Sequence, residues 1–187
     1  MKHLYIIAAC LAVTSCQSLR QGDLLFHVPL QGNAITEVTP AMIDHVAIVL
    51  SPDSIIEAVS RGVVVTSLDS LRCQQGYYLR CRVKNADYRR SVENARQYLG
   101  QVYDEVYLPN NDAIYCSELV QLSYVDKHGR PLFLPVPMSF HDSSGVVTSY
   151  WQQFYADRHM TVPEGQPGTN PAELSQRSCV RKMGILR

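Results

Sequence analysis

A histidine opens an apolar run, and a cysteine follows about seventy residues later at a helix-like start. The run is Asp44-His45-Val46-Ala47-Ile48-Val49-Leu50, apolar at every position after the histidine. Unbroken apolar runs this short read as strands covered on both faces, which puts His45 at the mouth of a buried strand. The cysteine lies in Tyr115-Cys116-Ser117-Glu118-Leu119-Val120, where Cys116, Leu119, Val120 and Tyr124 recur at helical spacing. Asn110, Asn111 and Asp112 just upstream are expected to supply turn and capping groups. A thiol in a first helical turn feels the positive end of the helix dipole, and a nearby imidazole can hold it as thiolate. Cys116 is then a candidate nucleophile and His45 its base. The competing reading is an inert core thiol, because free cysteines are among the most buried residues.

A base of this kind needs an acceptor to orient its second ring nitrogen. Glu57 is the candidate, because Ser54-Ile55-Ile56-Glu57-Ala58-Val59 forms the strand expected to pair with the one carrying His45. A carboxylate inside an apolar strand is costly without a partner, and side chains across a hairpin can meet on one face. An edge-strand Glu57 pointing to solvent is the alternative. Around this hairpin the pattern predicts strands at residues 23–27, 45–50, 54–59, 62–67 and 77–83, the last four read as an antiparallel meander. Residues 30–42 read as a loop. Helices are expected at 88–99, stopping at Gly100, and from Cys116 to about residue 126. Trp151, Phe154 and Tyr155 are expected to pack a short helix onto the body, and residues 163–171 to form an ordered loop. Asp104 and Glu105 read as exposed acidic residues in a turn.

Residues 1–15 read as a signal peptide. Lys2 is followed by an apolar run from Leu4 to Val13, too short to span a bilayer. Val13-Thr14-Ser15-Cys16 then resembles a lipobox, which makes Cys16 the expected lipidation site and residues 16–22 a lipidated N-terminus and linker. An ordinary secretory signal is the alternative. Residues 23–187 are of ordinary size for a single domain. The expected state is a membrane-anchored lipoprotein of the cell envelope. Lys and Arg number 17 against 17 Asp and Glu, with no basic patch, so nothing points to nucleic acid. Six cysteines show no CxxC spacing, and the histidines show no HExxH pattern, so neither a metal nor another cofactor is expected. A Cys73–Cys81 disulfide across a turn stays open.

Gly22-Asp23-Leu24-Leu25-Phe26 and Asp44-His45-Val46-Ala47-Ile48-Val49 resemble the strand motifs of NlpC-type papain-like amidases. Leu99-Gly100-Gln101-Val102-Tyr103-Asp104, leading to Tyr115-Cys116-Ser117-Glu118-Leu119-Val120, resembles their loop and nucleophile helix. In the usual members the cysteine precedes the histidine. Here it follows, as in the circularly permuted YiiX/YaeF-like branch, and the resemblance covers most of residues 20–171. It implies an α+β papain-like fold of permuted topology, with an antiparallel, partly barrel-like sheet packed on the nucleophile helix. It also implies Cys116 as nucleophile, His45 as base, Glu57 as third member, and Tyr115 as a shaper of the pocket or oxyanion site. Tyr115 stands where the usual branch has Asp, and Ala47 where Gly is common. The implied activity is cysteine amidase or peptidase cleavage of a small amide or acyl bond, peptide-like or lipid-linked. A lipoprotein that binds a lipid or peptide in the same pocket without turnover is the alternative.

Overall fold

The computed structural model describes residues 18–71 and 74–186. The leader, Cys16 and Cys73 lie outside the described residues, and so do the expected lipidation site and one half of the Cys73–Cys81 pair. Cys81 itself is a buried free thiol.

Strand β1 (Asp23–Pro29) leads to a short helix α1 (Ala34–Glu37), inside the segment read as a loop. Asn33 caps α1 through the backbone N–H groups of Ile35 and Thr36, and the Thr36 hydroxyl answers the Asn33 N–H. Then follow β2 (His45–Ser51), β3 (Ser54–Val59), β4 (Gly62–Ser67), α2 (Leu68–Leu71) and β5 (Gly76–Val83). Helix α3 (Tyr88–Arg96) precedes two two-residue strands, β6 (Val102–Tyr103) and β7 (Ala113–Ile114), which pair in parallel. Helix α4 (Cys116–Ser123) comes next. The remainder holds β8 (Val136–Pro137), α5 (Ser149–Ala156), β9 (Pro167–Gly168), α6 (Pro171–Gln176) and β10 (Val180–Leu186).

The main sheet has six strands in the order β10-β5-β1-β2-β3-β4, all antiparallel. The expected meander holds from β2 to β4, where two-residue turns keep successive strands adjacent. It fails at β5, which pairs with the free edge of β1 instead of with β4. The connection through α2 is longer than a hairpin loop, so adjacency is no longer enforced. Strand β10 was not anticipated. Its sequence Val-Arg-Lys-Met-Gly-Ile-Leu carries two charges and a glycine at the sheet edge, with a register shift between Lys182 and Gly184.

β2 is buried on both faces, as an unbroken apolar run requires. Val46, Ile48 and Leu50 join Leu24, Phe26 and Ile56 in the main core, where Leu119 and Val120 of α4 and Val92 and Ala95 of α3 also sit. Ala47 and Val49 turn the other way, with Leu25 and Ile55, and are covered by Leu71 and Tyr78. A third cluster joins Trp151 and Tyr155 of α5 to Tyr115, Met138 and Phe140. The expected packing of a short helix through Trp151 and Tyr155 is thus seen, and it builds one wall of the site.

Candidate active site

Cys116 is the first residue of α4, as its sequence spacing predicts. The expected cap is different. Tyr115, not an Asn or Asp, occupies the N-cap position and makes no side-chain cap bond. Glu118, one turn in, accepts the Tyr115 N–H. Asn111 instead bonds the Ala113 N–H at 3.2 Å and shapes the approach to β7. The helix also ends earlier than expected, at Ser123 with Tyr124 as its extended C-cap, and α3 stops at Arg96 before the turn to Gly100. The Tyr124 ring is spent on the core, with its hydroxyl donating to the Gly22 carbonyl at 2.9 Å.

His45 stands at the first position of β2, and its Nε2 lies 2.7 Å from Glu57 Oε2 on β3. The side chains are 17% and 4% exposed, so the pair is shielded from water on most sides. Glu57 also accepts from Thr66 and feels the Arg61 charge. Although burial raises its pKa, these groups and above all the His45 bond bring it below the usual carboxylate range. With Nε2 taken, Nδ1 is the nitrogen left for the hydrogen bond between His45 and Cys116. Burial alone would lower the His45 pKa. The bonds to Cys116 and Glu57 and their charges outweigh it and hold the imidazole up at about 10. The structure therefore brings Cys116, His45 and Glu57 together in one chain of contacts, and the solvent-facing alternative for Glu57 does not hold.

Tyr115 is buried beside the nucleophile. Its hydroxyl accepts the Thr169 N–H at 3.0 Å and lies 3.8 Å from Met138 Sδ. Its ring lines the cleft and meets the Tyr107 ring edge-on. Tyr115 is thus both a wall of the cleft and a clamp on Thr169.

A cleft opens on Cys116, walled by Ile35 and Val38 of the α1 segment, Tyr103, Tyr107, Met138, Phe140 and Trp151. Its exposed lining is mostly apolar. Trp151 Nε1 donates to the Ala34 carbonyl at 3.1 Å and fixes the α1 segment over the site. Sequence reasoning missed this wall, because aromatic and aliphatic residues read as core whether they face a core or a cleft. It also misread Asp104, which is buried. Its carboxylate accepts the N–H groups of Val106 and Leu108, both at 2.9 Å, and shapes the loop that carries Tyr103 and Tyr107. Tyr107 itself has φ of +52°, a backbone conformation that a non-glycine residue adopts only when its surroundings hold it. His27 forms a second histidine–carboxylate pair with Asp44 at 2.7 Å, beside the catalytic candidates. Among the described residues no group of three or more His, Cys, Asp or Glu side chains is gathered to hold a metal ion.

Comparison with known proteins places this geometry. The profile of the permuted papain-like amidase family YaeF/YiiX, family C92, matches residues 18–181. The chain belongs to this family. It is therefore a papain-like cysteine hydrolase of the amidase/peptidase class, and its fold is the permuted α+β one in which the cysteine helix follows the histidine strand. The crystal structure of the metalloprotein yiiX from Escherichia coli O157:H7 is similar, with a TM-score of 0.74 over 89% of this chain and 97% of that one. At 20% identity that likeness speaks for the fold alone. No curated protein sequence matches the chain.

Proposed function

We propose that the protein hydrolyses an amide or related acyl bond of a small substrate whose acyl part is apolar, through Cys116, His45 and Glu57. The observation that carries this reading is the apolar cleft opening on Cys116. A polar, narrow site would suit a cell-wall peptide. Walls of Ile35, Val38, Met138, Phe140 and Trp151 suit an acyl chain or an apolar side chain, each buried methylene contributing about 0.8 kcal/mol. The sulfur of Cys116 attacks the carbonyl carbon with the thiol proton already on His45. His45 passes that proton to the departing amine as the C–N bond breaks, and the acyl group stays on sulfur as a thioester. Water then attacks the thioester while His45 takes its proton, and the acid leaves. Glu57 holds the ring so that Nδ1 faces the sulfur throughout.

The similar yiiX structure is described as that of a metalloprotein. The donor set here does not fit such a role: His27 is bonded to Asp44 and His45 to Glu57, and among the described residues no three His, Cys, Asp or Glu side chains are gathered to hold a metal ion. We also place the protein at the cell envelope, anchored through lipidated Cys16. The short basic start, the apolar run and the lipobox support this. An anchored enzyme with an apolar cleft is well placed for lipid-linked amides or acylated amines, and nothing in its charge suits nucleic acid.

Incubation with N-acyl amino acids and with short muropeptides, followed by mass spectrometry, tests the activity. The expected outcome is cleavage of the N-acyl compounds ahead of the muropeptides, lost in Cys116→Ala. Tight binding of either set without cleavage, unchanged in Cys116→Ala, would instead identify a non-catalytic binding lipoprotein.

A further inference from the structure

Thr169 is 1% exposed and lines the cleft beside Cys116, Ser117 and Asn170. Its backbone is held from both sides of the nucleophile. The Thr169 N–H donates to the Tyr115 hydroxyl at 3.0 Å, and the Ser117 hydroxyl donates to the Thr169 carbonyl at 3.1 Å. The residues flanking Cys116 thus fix Thr169 relative to the sulfur. Its own hydroxyl is left without a hydrogen-bond partner, although buried. The Tyr115 hydroxyl is near enough to feel it, but no bond of good geometry joins the two. Gly168, next to it, is closely packed: an added Cβ would lie 2.6 Å from Met138 Sδ and 2.8 Å from the Tyr115 hydroxyl, so a neighbour would have to shift.

A buried hydroxyl with no partner costs free energy, about 1–3 kcal/mol on mutational scales, and such a group in a reactive cleft calls for a reason. Here both backbone groups of the residue are satisfied by the nucleophile's neighbours, so the local fold is not what requires the hydroxyl. The helix start supplies one donor to a reacting carbonyl, because the N–H of Cys116, as first residue of α4, has no intrahelical acceptor. A second donor is needed opposite it.

We propose that the Thr169 hydroxyl is a catalytic hydrogen-bond donor to the substrate carbonyl oxygen, completing the oxyanion site with the Cys116 N–H. This rests on the acyl-transfer reading above. As sulfur bonds to the carbonyl carbon, the π pair moves onto oxygen, and the Thr169 O–H and Cys116 N–H receive the developing charge. When the pair returns, the C–N or C–O bond to the leaving group breaks and the thioester remains.

The full-length protein in detergent, treated with the p-nitrophenyl ester of octanoic acid, tests this. Release of p-nitrophenolate reports acylation, and mass spectrometry locates the acyl group. Thr169→Val replaces the hydroxyl by a methyl of similar size. Loss of one oxyanion donor is expected to slow acylation by about 10²–10³-fold in rate constant, with little change in KM. Thr169→Ser, which keeps the hydroxyl, should recover most of the rate. Alkylation of Cys116 by iodoacetamide, which needs no oxyanion, should be unchanged in both, and Thr169→Val should melt no lower than wild type. Wild-type acylation rates in Thr169→Val would overturn the proposal while leaving the cysteine hydrolase intact. A parallel fall in melting temperature and Cys116 alkylation would overturn it too, by showing that the hydroxyl serves the fold. Absence of acyl group on Cys116 in the wild type would overturn the acyl-transfer reading itself.

Discussion

At neutral pH His45 holds a proton that burial alone would take away, because Cys116 and Glu57 both bond to its ring and lend it negative charge. The balance sets the pH dependence of the reaction. The imidazole titrates at about 10, so the alkaline limb of kcat/KM should lie near that value. Glu57→Gln keeps the shape of the side chain but removes its charge, while the desolvation that lowers the His45 pKa remains. The alkaline limb should therefore move down, by about 1–3 pH units, as for the loss of one close opposite charge. A limb that stays in place in Glu57→Gln would mean that another group holds the ring. The meeting of His45 with Glu57 beside Cys116 was legible in the sequence because each is a chemically costly choice where it stands. A histidine at the mouth of an apolar strand, a carboxylate within the next one and a thiol at a helix start all demand partners. Asp104 escaped because a carboxylate in a turn usually faces water, and only the fold shows it satisfying two backbone N–H groups.

The site is assembled by elements remote in sequence. β2 and β3 present His45 and Glu57, α4 presents Cys116, and the β8–β9 pair braces the far wall. Gly168 on β9 is the tightest point of that bracing. Met138 Sδ is the end of a flexible chain and can yield, but the Tyr115 hydroxyl is tied to the Thr169 N–H and cannot move freely. Gly168→Ala should therefore cost stability by about 1–3 kcal/mol, as overpacking does, and cut turnover more deeply by displacing Tyr115 and Thr169. Chemical denaturation and steady-state rates on the same preparation check it, and a variant equal to wild type in both would show that the wall adjusts without cost. The β2–β4 meander could be read from turn residues and apolar runs, since short hairpins fix adjacency. The placement of β5 beyond β1 could not, because a long connection leaves the partner to be chosen by the tertiary packing. β10 was hidden for a related reason: an edge strand can carry Arg181 and Lys182 and need not look apolar.

For the whole molecule, the apolar cleft and the proposed lipid at Cys16 belong to one account, in which the enzyme works at a membrane surface on substrates with apolar parts. Among the described residues no helix is long and apolar enough to cross a membrane. Metabolic labelling with a palmitate analogue should tag the wild type and not Cys16→Ser, and only the wild type should sediment with membranes. An unlabelled, soluble wild-type protein would restore the ordinary secretory signal. The central claim is nevertheless the pairing of Cys116 with His45, and it is open to direct measurement. Iodoacetamide at pH 6 to 7, with site-resolved mass spectrometry, compares three thiols in one protein. Burial raises the Cys81 pKa to about 11, and burial raises that of Cys179 as well, so both should react slowly. The account predicts that Cys116 reacts much faster than either, and that His45→Ala brings it down toward their rates. Equal, slow labelling of all three in the wild type, or a Cys116 rate indifferent to His45→Ala, would contradict it.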